Sequence, residues 1–153
     1  MAGGFSINID NIEIFKEFLI KKYNSLNIKK DNFKNLYLDS IILPTALNPE
    51  FYKNIDVLSP FGTGNHEPKF LIEDLKLANS NIVGNEHIKA IFYSKNNDII
   101  KTIAFNSVGT VLETYLVKNN KSSMNIVGTL KSNNWNGKTN IEFVINDISV
   151  NNI

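Results

Sequence analysis

Residues 88–130 read IKAIFYSKNNDIIKTIAFNSVGTVLETYLVKNNKSSMNIVGTL. The first six alternate: Ile88, Ala90 and Phe92 belong to one face, Lys89, Ile91 and Tyr93 to the other. That is the period of a strand with one buried side. Lys95-Asn96-Asn97-Asp98 has the composition of a turn. Residues 99–105 predict a second strand whose inward face is open, because both alternating sets contain isoleucine. Phe105 therefore reads as a core residue or, alternatively, as an aromatic in a surface groove. Gly109 opens a short helical stretch over 111–117, with Leu112, Tyr115 and Leu116 at helical spacing. Residues 124–130 alternate again, placing Met124, Ile126, Gly128 and Leu130 on one face. Upstream, 70–83 predicts one long extended segment. Downstream, 133–138 reads as a loop, and Ile141, Phe143 and Ile145 alternate. The order strand, strand, strand, helix, strand, strand is that of a five-stranded Greek-key barrel, the OB-fold. The expected class is mainly β with a helical N-terminal segment (α+β).

The N-terminal third has a different pattern. Phe5, Ile7 and Ile9 alternate and predict a short strand. Asp10 and Glu13 have the spacing of a helix cap and its partner. Ile12, Phe15, Leu19, Tyr23 and Leu26 then form one apolar stripe on a helix of about fifteen residues. The polar stretch 27–35 reads as a linker. Leu36, Leu38 and residues 41–43 predict a short strand. A second helix starts at Asn48 as N-cap with Pro49 and Glu50 in its first turn, and carries Phe51, Ile55 and Leu58 on its apolar face. Pro60, Gly62 and Gly64 end it in a turn expected to need positive φ angles.

Composition narrows the function. The chain has 153 residues, no cysteine and a formal net charge of +1. A disulfide scaffold, a thiolate metal site and a cysteine nucleophile are excluded. Net charge alone directs the chain to neither nucleic acid nor membrane. All sixteen basic residues are lysine, beside 25 asparagines and 21 isoleucines. These three residue types share AT-rich codons, and the asparagines are scattered, so genome composition accounts for the bias. No apolar run approaches the length of a membrane span. Nothing resembles a targeting signal, so a cytoplasmic location is expected.

No catalytic constellation is visible. His66 and His87 are far apart, and no HExxH pattern occurs; His87 is expected to be a hydrogen-bonded residue at a strand end. Gly62-Thr63-Gly64-Asn65 lacks the Lys-Ser/Thr ending of a phosphate-binding loop. Glu73 and Asp74 would point to opposite faces of a regular strand. Binding features are more informative. Trp135, the only tryptophan, lies in a polar loop with Lys138; an aromatic beside a lysine can stack a base and meet a phosphate, or Trp135 can fold back to cover the barrel end. Lys89 and Tyr93 on one strand face offer the same pair. Lys101 and Lys131 would extend a basic surface.

The stretch 58–70, LSPFGTGNHEPKF, closely resembles the P-F-G-x-G-N-x-x-P-x-F signature of RecJ-type single-stranded-DNA-specific exonucleases. Pro60, Phe61, Gly62, Gly64, Asn65 and Pro68 carry it, with His66 where that family usually has proline. Ala2-Gly3-Gly4-Phe5-Ser6 is similar to the end of the family's G-G-H-x-x-A-x-G-F-S segment. Glu86-His87-Ile88-Lys89 resembles its H-L-K strand start. Asn133 to Gly137 with Asp147-Ile148 resembles its N-x-W-x-G … D-I ending.

The resemblance implies a C-terminal fragment. Residues 1–28 would be a remnant of a DHHA1-type domain, 29–68 a connector with a helix, and 69–153 the OB-fold. The family's Asp-His-His motifs, which bind catalytic manganese or magnesium, do not occur in the chain. The implied parent is a hydrolase that degrades single-stranded DNA from 5′ to 3′ in repair and recombination. This piece would bind the strand without cleaving it and would hold no cofactor. The implied partners are single-stranded DNA and the absent catalytic domain. The alternative reading is a protein-interaction OB-fold that docks on a repair partner such as single-strand-binding protein. Lacking arginine, either surface must meet phosphates through lysine, without bidentate geometry.

Overall fold

The computed structural model describes residues 4–26, 35–117, 122–135 and 138–151, with backbone alone at 134, 135 and 138. The chain forms two compact units, Met1–Leu36 and Tyr37–Ile153. The linker expected over 27–35 lies, but for Asn35, outside the described residues, as does Ala2-Gly3.

In the first unit a 3-10 turn, Ile9–Asn11, leads into helix α1, Ile12–Ser25. The strand expected at Phe5, Ile7 and Ile9 is not there. A strand exists only by pairing, and residues 4–8 pair with nothing among the described residues. The cap also differs from expectation: Asn8, not Asp10, caps this start, its side chain accepting the Asp10 N–H. The rings of Phe5 and Phe15 meet edge to face at 5.1 Å. No residue of α1 is buried.

The second unit is the barrel. Strand β1 (Ser40–Ile41) runs parallel to the start of β2 (Phe70–Val83). Helix α2 (Pro49–Asp56) precedes β2, and the Asn48 side chain accepts the Phe51 N–H at 2.9 Å, as the cap reading expected. Its inner face is Ile55, buried, and Phe51, half-buried; Leu58 lies past the helix end and is exposed. Strands β3 (His87–Tyr93) and β4 (Ile99–Ala104) form a meander with β2. Helix α3 (Val111–Leu116) follows, then β5 (Met124–Trp135) and β6 (Lys138–Val150). The sheet order is β1-β2-β3-β4-β6-β5, and β5 pairs back to β2. Strands β2 to β6 thus close a five-stranded OB-fold barrel, with α3 in the expected place. The loop expected over 133–138 is replaced by a hairpin: Asn133 pairs with Asn140 and Trp135 with Lys138. Backbone pairing needs no apolar side chains, so polar composition concealed it.

One long strand serves two neighbours. Residues 70–75 of β2 pair with β5, and residues 76–83 pair with β3. The change occurs at a bulge, where Ile72 and Leu75 are both fully buried although three positions apart. Asp74 takes φ 57° there, a left-handed conformation that Asp tolerates better than most residues. The regular alternation that would send Glu73 and Asp74 to opposite faces is interrupted. Asp74 donates its N–H to Asn125 Oδ1 at 3.0 Å. Its carboxylate accepts from Lys95 Nζ at 2.8 Å and from Asn151 Nδ2 at 2.9 Å. These bonds tie β2 to the beginning of β5 and the end of β6.

The core is filled from all five barrel strands, β2 to β6: Ile72 and Leu75, then Ile88, Ala90 and Phe92, then Ile100 and Ala104, then Met124, Ile126 and Leu130, then Phe143, Ile145 and Ile148. Leu116 of α3 adds a fully buried side chain. Each such burial contributes roughly 1.5–3 kcal/mol. Gly128 sits opposite Phe70 on β2 and Ile145 on β6. A Cβ there would lie 2.0 Å from the Val144 carbonyl oxygen and 2.7 Å from the Phe143 ring. Only glycine lets the strands approach this closely.

Two outcomes follow from this packing. Gly128→Ala should lower stability by about 1–3 kcal/mol or more, since it overpacks a rigid backbone contact; urea denaturation measures it. The hydrogen bond and charge of Lys95, with lesser help from Asn151 and Ser123, hold the Asp74 carboxyl below its ordinary 3.8 against a desolvation penalty. A lowered folded-state pKa stabilises the fold above the unfolded value, and the effect fades as pH falls through the folded one. Thermal melts of the wild type and Asp74→Asn between pH 6 and 2 should therefore converge below about pH 4.

Candidate nucleic-acid interface

The outer face of β2–β3–β4 follows from the register. Lys89 lies opposite Ile103, Ile91 opposite Lys101, and Tyr93 opposite Ile99. Directly opposed residues share a face, so Lys89, Ile91, Tyr93, Ile99 and Lys101 lie together on the outside. All five are exposed. On the other side of β3, Lys76 lies opposite Tyr93, Asn79 opposite Ile91 and Asn81 opposite Lys89. The β3 alternation read from sequence holds: Ile88, Ala90 and Phe92 are buried.

Lys76, Lys89 and Lys101 make no ion pair among the described residues. The pairs found there are Lys16 with Glu13, Lys95 with Asp74 and Lys131 with Glu67. The face is thus a mixed surface of three unneutralised lysines, asparagines and apolar or aromatic groups. Recesses border it at two edges. One of about 460 Å³ is lined by Lys76, Tyr93, Lys95 and Asn97. The other, about 480 Å³, is lined by Ile99, Lys101, Thr139, Ile141 and Glu142. Lys76 was missed in the sequence, because its role depends on the pairing of β2 with β3.

The remaining residues singled out lie elsewhere. Lys131 holds Glu67 at 2.7 Å, so a phosphate there would compete with that carboxylate. Trp135 and Lys138 face one another across the end of the β5–β6 hairpin; their side chains lie outside the described residues. His87 is the hydrogen-bonded strand-end residue expected: its Nδ1 accepts the Asn106 N–H at 3.1 Å. Phe105, read first as core, is 52% exposed. Strand β4 ends at Ala104, and the turn beyond carries Phe105 outward.

The 58–70 stretch is a joint between α2 and β2. Ser59-Pro60 is a cis peptide. Gly62 and Asn65 exchange backbone hydrogen bonds at 2.8 and 3.2 Å. Asn65 Nδ2 donates to the carbonyls of Leu58 and Pro60 at 2.7 and 3.2 Å. Phe61 packs against the barrel core, and Pro68 is half-buried. Neither Gly62 nor Gly64 has the positive φ expected; among the described residues the left-handed glycines are Gly84 and Gly109. Bends in this joint are made by the cis proline and the Asn65 bonds.

Among the described residues no group of three or more His, Asp or Glu side chains could hold a metal ion. No described helix is long and apolar enough to cross a membrane.

Comparison with known structures finds the same fold. RecJ from Thermus thermophilus in complex with Mg2+ superposes with a TM-score of 0.63 at 20% identity, over 95% of this chain and 21% of that one. The same protein in complex with Mn2+ gives 0.60 at 22% identity, over 95% and 20%. The chain therefore spans about a fifth of those RecJ chains. The metals in those complexes have no counterpart in the donor set described above, and no chemical step is assigned to them in this chain. A search among curated proteins finds no match. In sequence, residues 38–147 match the RecJ OB domain. With that match over most of its length and a barrel of the same order, the chain belongs to the RecJ OB domain family.

Proposed function

We propose that this chain is the strand-holding part of a RecJ-type exonuclease that degrades single-stranded DNA from 5′ to 3′ in repair and recombination. The carrying observation is the outer face of β3–β4. Lys89, Lys101 and the neighbouring Lys76 are exposed there and make no ion pair among the described residues, with Tyr93 and Ile91 between them. Lysines neutralise phosphates and release counterions, while an aromatic face accepts any base. That combination holds a strand without reading its sequence. OB-folds bind oligonucleotides on this face, flanked by the loops at its two ends. Trp135 and Lys138 stand at one of those loops and would continue the stacking and charge; Lys131 would join by exchanging Glu67 for a phosphate.

The chemistry of cleavage is assigned to the parent enzyme's phosphoesterase domain and its manganese or magnesium. The unit Met1–Leu36 is assigned to the end of a DHHA1-type domain that would join the two. In this reading the chain alone binds and does not hydrolyse.

Titration of the 153-residue chain with labelled oligothymidylate tests the reading. Lys76, Lys89 and Lys101 should contribute about −2 to the salt dependence of log K, at about −0.7 per phosphate, and Lys131 and Lys138 should steepen it further. Lys89→Gln with Lys101→Gln should flatten that slope by about 1.4. Trp135 emission should be quenched on binding, and Trp135→Ala should cost about 1–3 kcal/mol of affinity. Absence of binding at low salt would refute the proposal and leave protein docking as the use of this face.

A further inference from the structure

The outer face carries a second aromatic that sequence reading placed first in the core. Ile88 lies opposite Ala104, so His87 and Phe105 are the next pair outward in register. Their rings confirm it: the centroids are 5.2 Å apart, edge to face at 81°. His87 is itself fixed, because its Nδ1 accepts the Asn106 N–H. Asn106 takes φ 49°, which turns the chain out of β4 and leaves the Phe105 ring half-uncovered. The turn is tied down by the residue just before β3: Ser107 and Val108 donate their N–H groups to the Glu86 carbonyl at 2.8 and 3.2 Å. A large apolar ring is thus held rigidly at the surface, where solvent gives it no reason to stay.

Its position makes it useful. Phe105 and Tyr93 mark the two ends of the β3–β4 face. His87 to Tyr93 is six strand steps, about 20 Å at ~3.3 Å each. Lys89 and Lys101 lie between the two rings on the same face. Lys89 is two residues from His87, and Phe105 is two residues beyond its partner Ile103.

We infer that Phe105, backed by His87, is a base-stacking platform for single-stranded nucleic acid and sets the far end of the footprint begun at Tyr93. This rests on the outer face being the strand-binding surface. The ligand is one single strand long enough to reach both rings, on the order of four nucleotides. Its bases lie on Tyr93 and Phe105, and its phosphates on the lysines between. Phe105 has no charge, so it contributes affinity without changing how many counterions are released.

The experiment compares wild type, Phe105→Leu, and Lys89→Gln with Lys101→Gln, binding oligothymidylates of two to twelve nucleotides over a range of salt. For the longer strands Phe105→Leu should bind about 5- to 100-fold more weakly. Its salt slope should stay unchanged, and its affinity should stop rising at a shorter length than wild type. The lysine variant should instead lose slope. If Phe105→Leu binds like wild type while the lysine variant is weakened, the inference is wrong and the outer-face reading stands. If wild type does not bind, or neither variant differs from it, both fail. Phe105→Trp in a Trp135→Phe background is an independent readout. Quenching of the new tryptophan by oligothymidylate supports the platform, and unchanged emission with bound strand overturns it.

Discussion

A carbonyl oxygen governs the barrel. The Val144 oxygen occupies the place where any side chain at position 128 would begin, and the Phe143 ring closes over the same spot. With glycine there, β5 can pair with β6 on one side and β2 on the other at the same residue. β6 absorbs the crossing with one unpaired residue, Asn146, between Ile145 and Asp147. β2 absorbs its own change of partner at the Asp74 bulge. Both irregularities lie where a sheet has to curve shut, the place β-bulges are used. Phe92 and Phe143, the largest fully buried side chains, fill the space that closure creates.

Closure also determines which surface remains free. Outside the barrel, the start of β4 is paired only with β3, since its contact with β6 is limited to Thr102 and Ile103. The Lys101 end therefore stays open toward the hairpin that carries Trp135 and Lys138. At the opposite edge the Lys76 half of β2 has left β5 behind. A face bounded in this way is broad, shallow and lined by single lysines. It suits a flexible strand better than a compact ligand. Without arginine it cannot clamp a phosphate in a fork, so a strand held there in the proposed way would rely on several weak contacts acting together.

The strands that meet solvent on one side were legible. β3 alternates because Ile88, Ala90 and Phe92 face the core and Lys89, Ile91 and Tyr93 do not. β4 was ambiguous for a physical reason: Ile103 is on the outer face yet 7% exposed, between Lys89 and Val144 in register. The helix start at Asn48 followed capping chemistry and was readable; the Thr110 cap of α3 was not singled out. Features set by distant pairing were not. The bulge at Asp74, the hairpin through Asn133 and Asn140, and the partnership of Lys76 with Tyr93 depend on residues far along the chain. The false strand at Phe5 and Ile7 shows the converse, a correct pattern without a partner. Of the candidate site, Lys89 and Tyr93 were placed together by alternation; Lys101 was named without its face being settled, and Lys131 could not be known to hold Glu67.

The central claim is that one face of this barrel, and no other, receives a single strand. Backbone amide chemical shifts of the isotopically labelled chain, followed while oligothymidylate is added, test it residue by residue. The account predicts shifts concentrated on residues 76–81, 87–93, 99–106 and the end of the β5–β6 hairpin, with the α2 to β2 joint at 59–65 unmoved. Shifts centred on that joint, or spread evenly over the barrel, would contradict it.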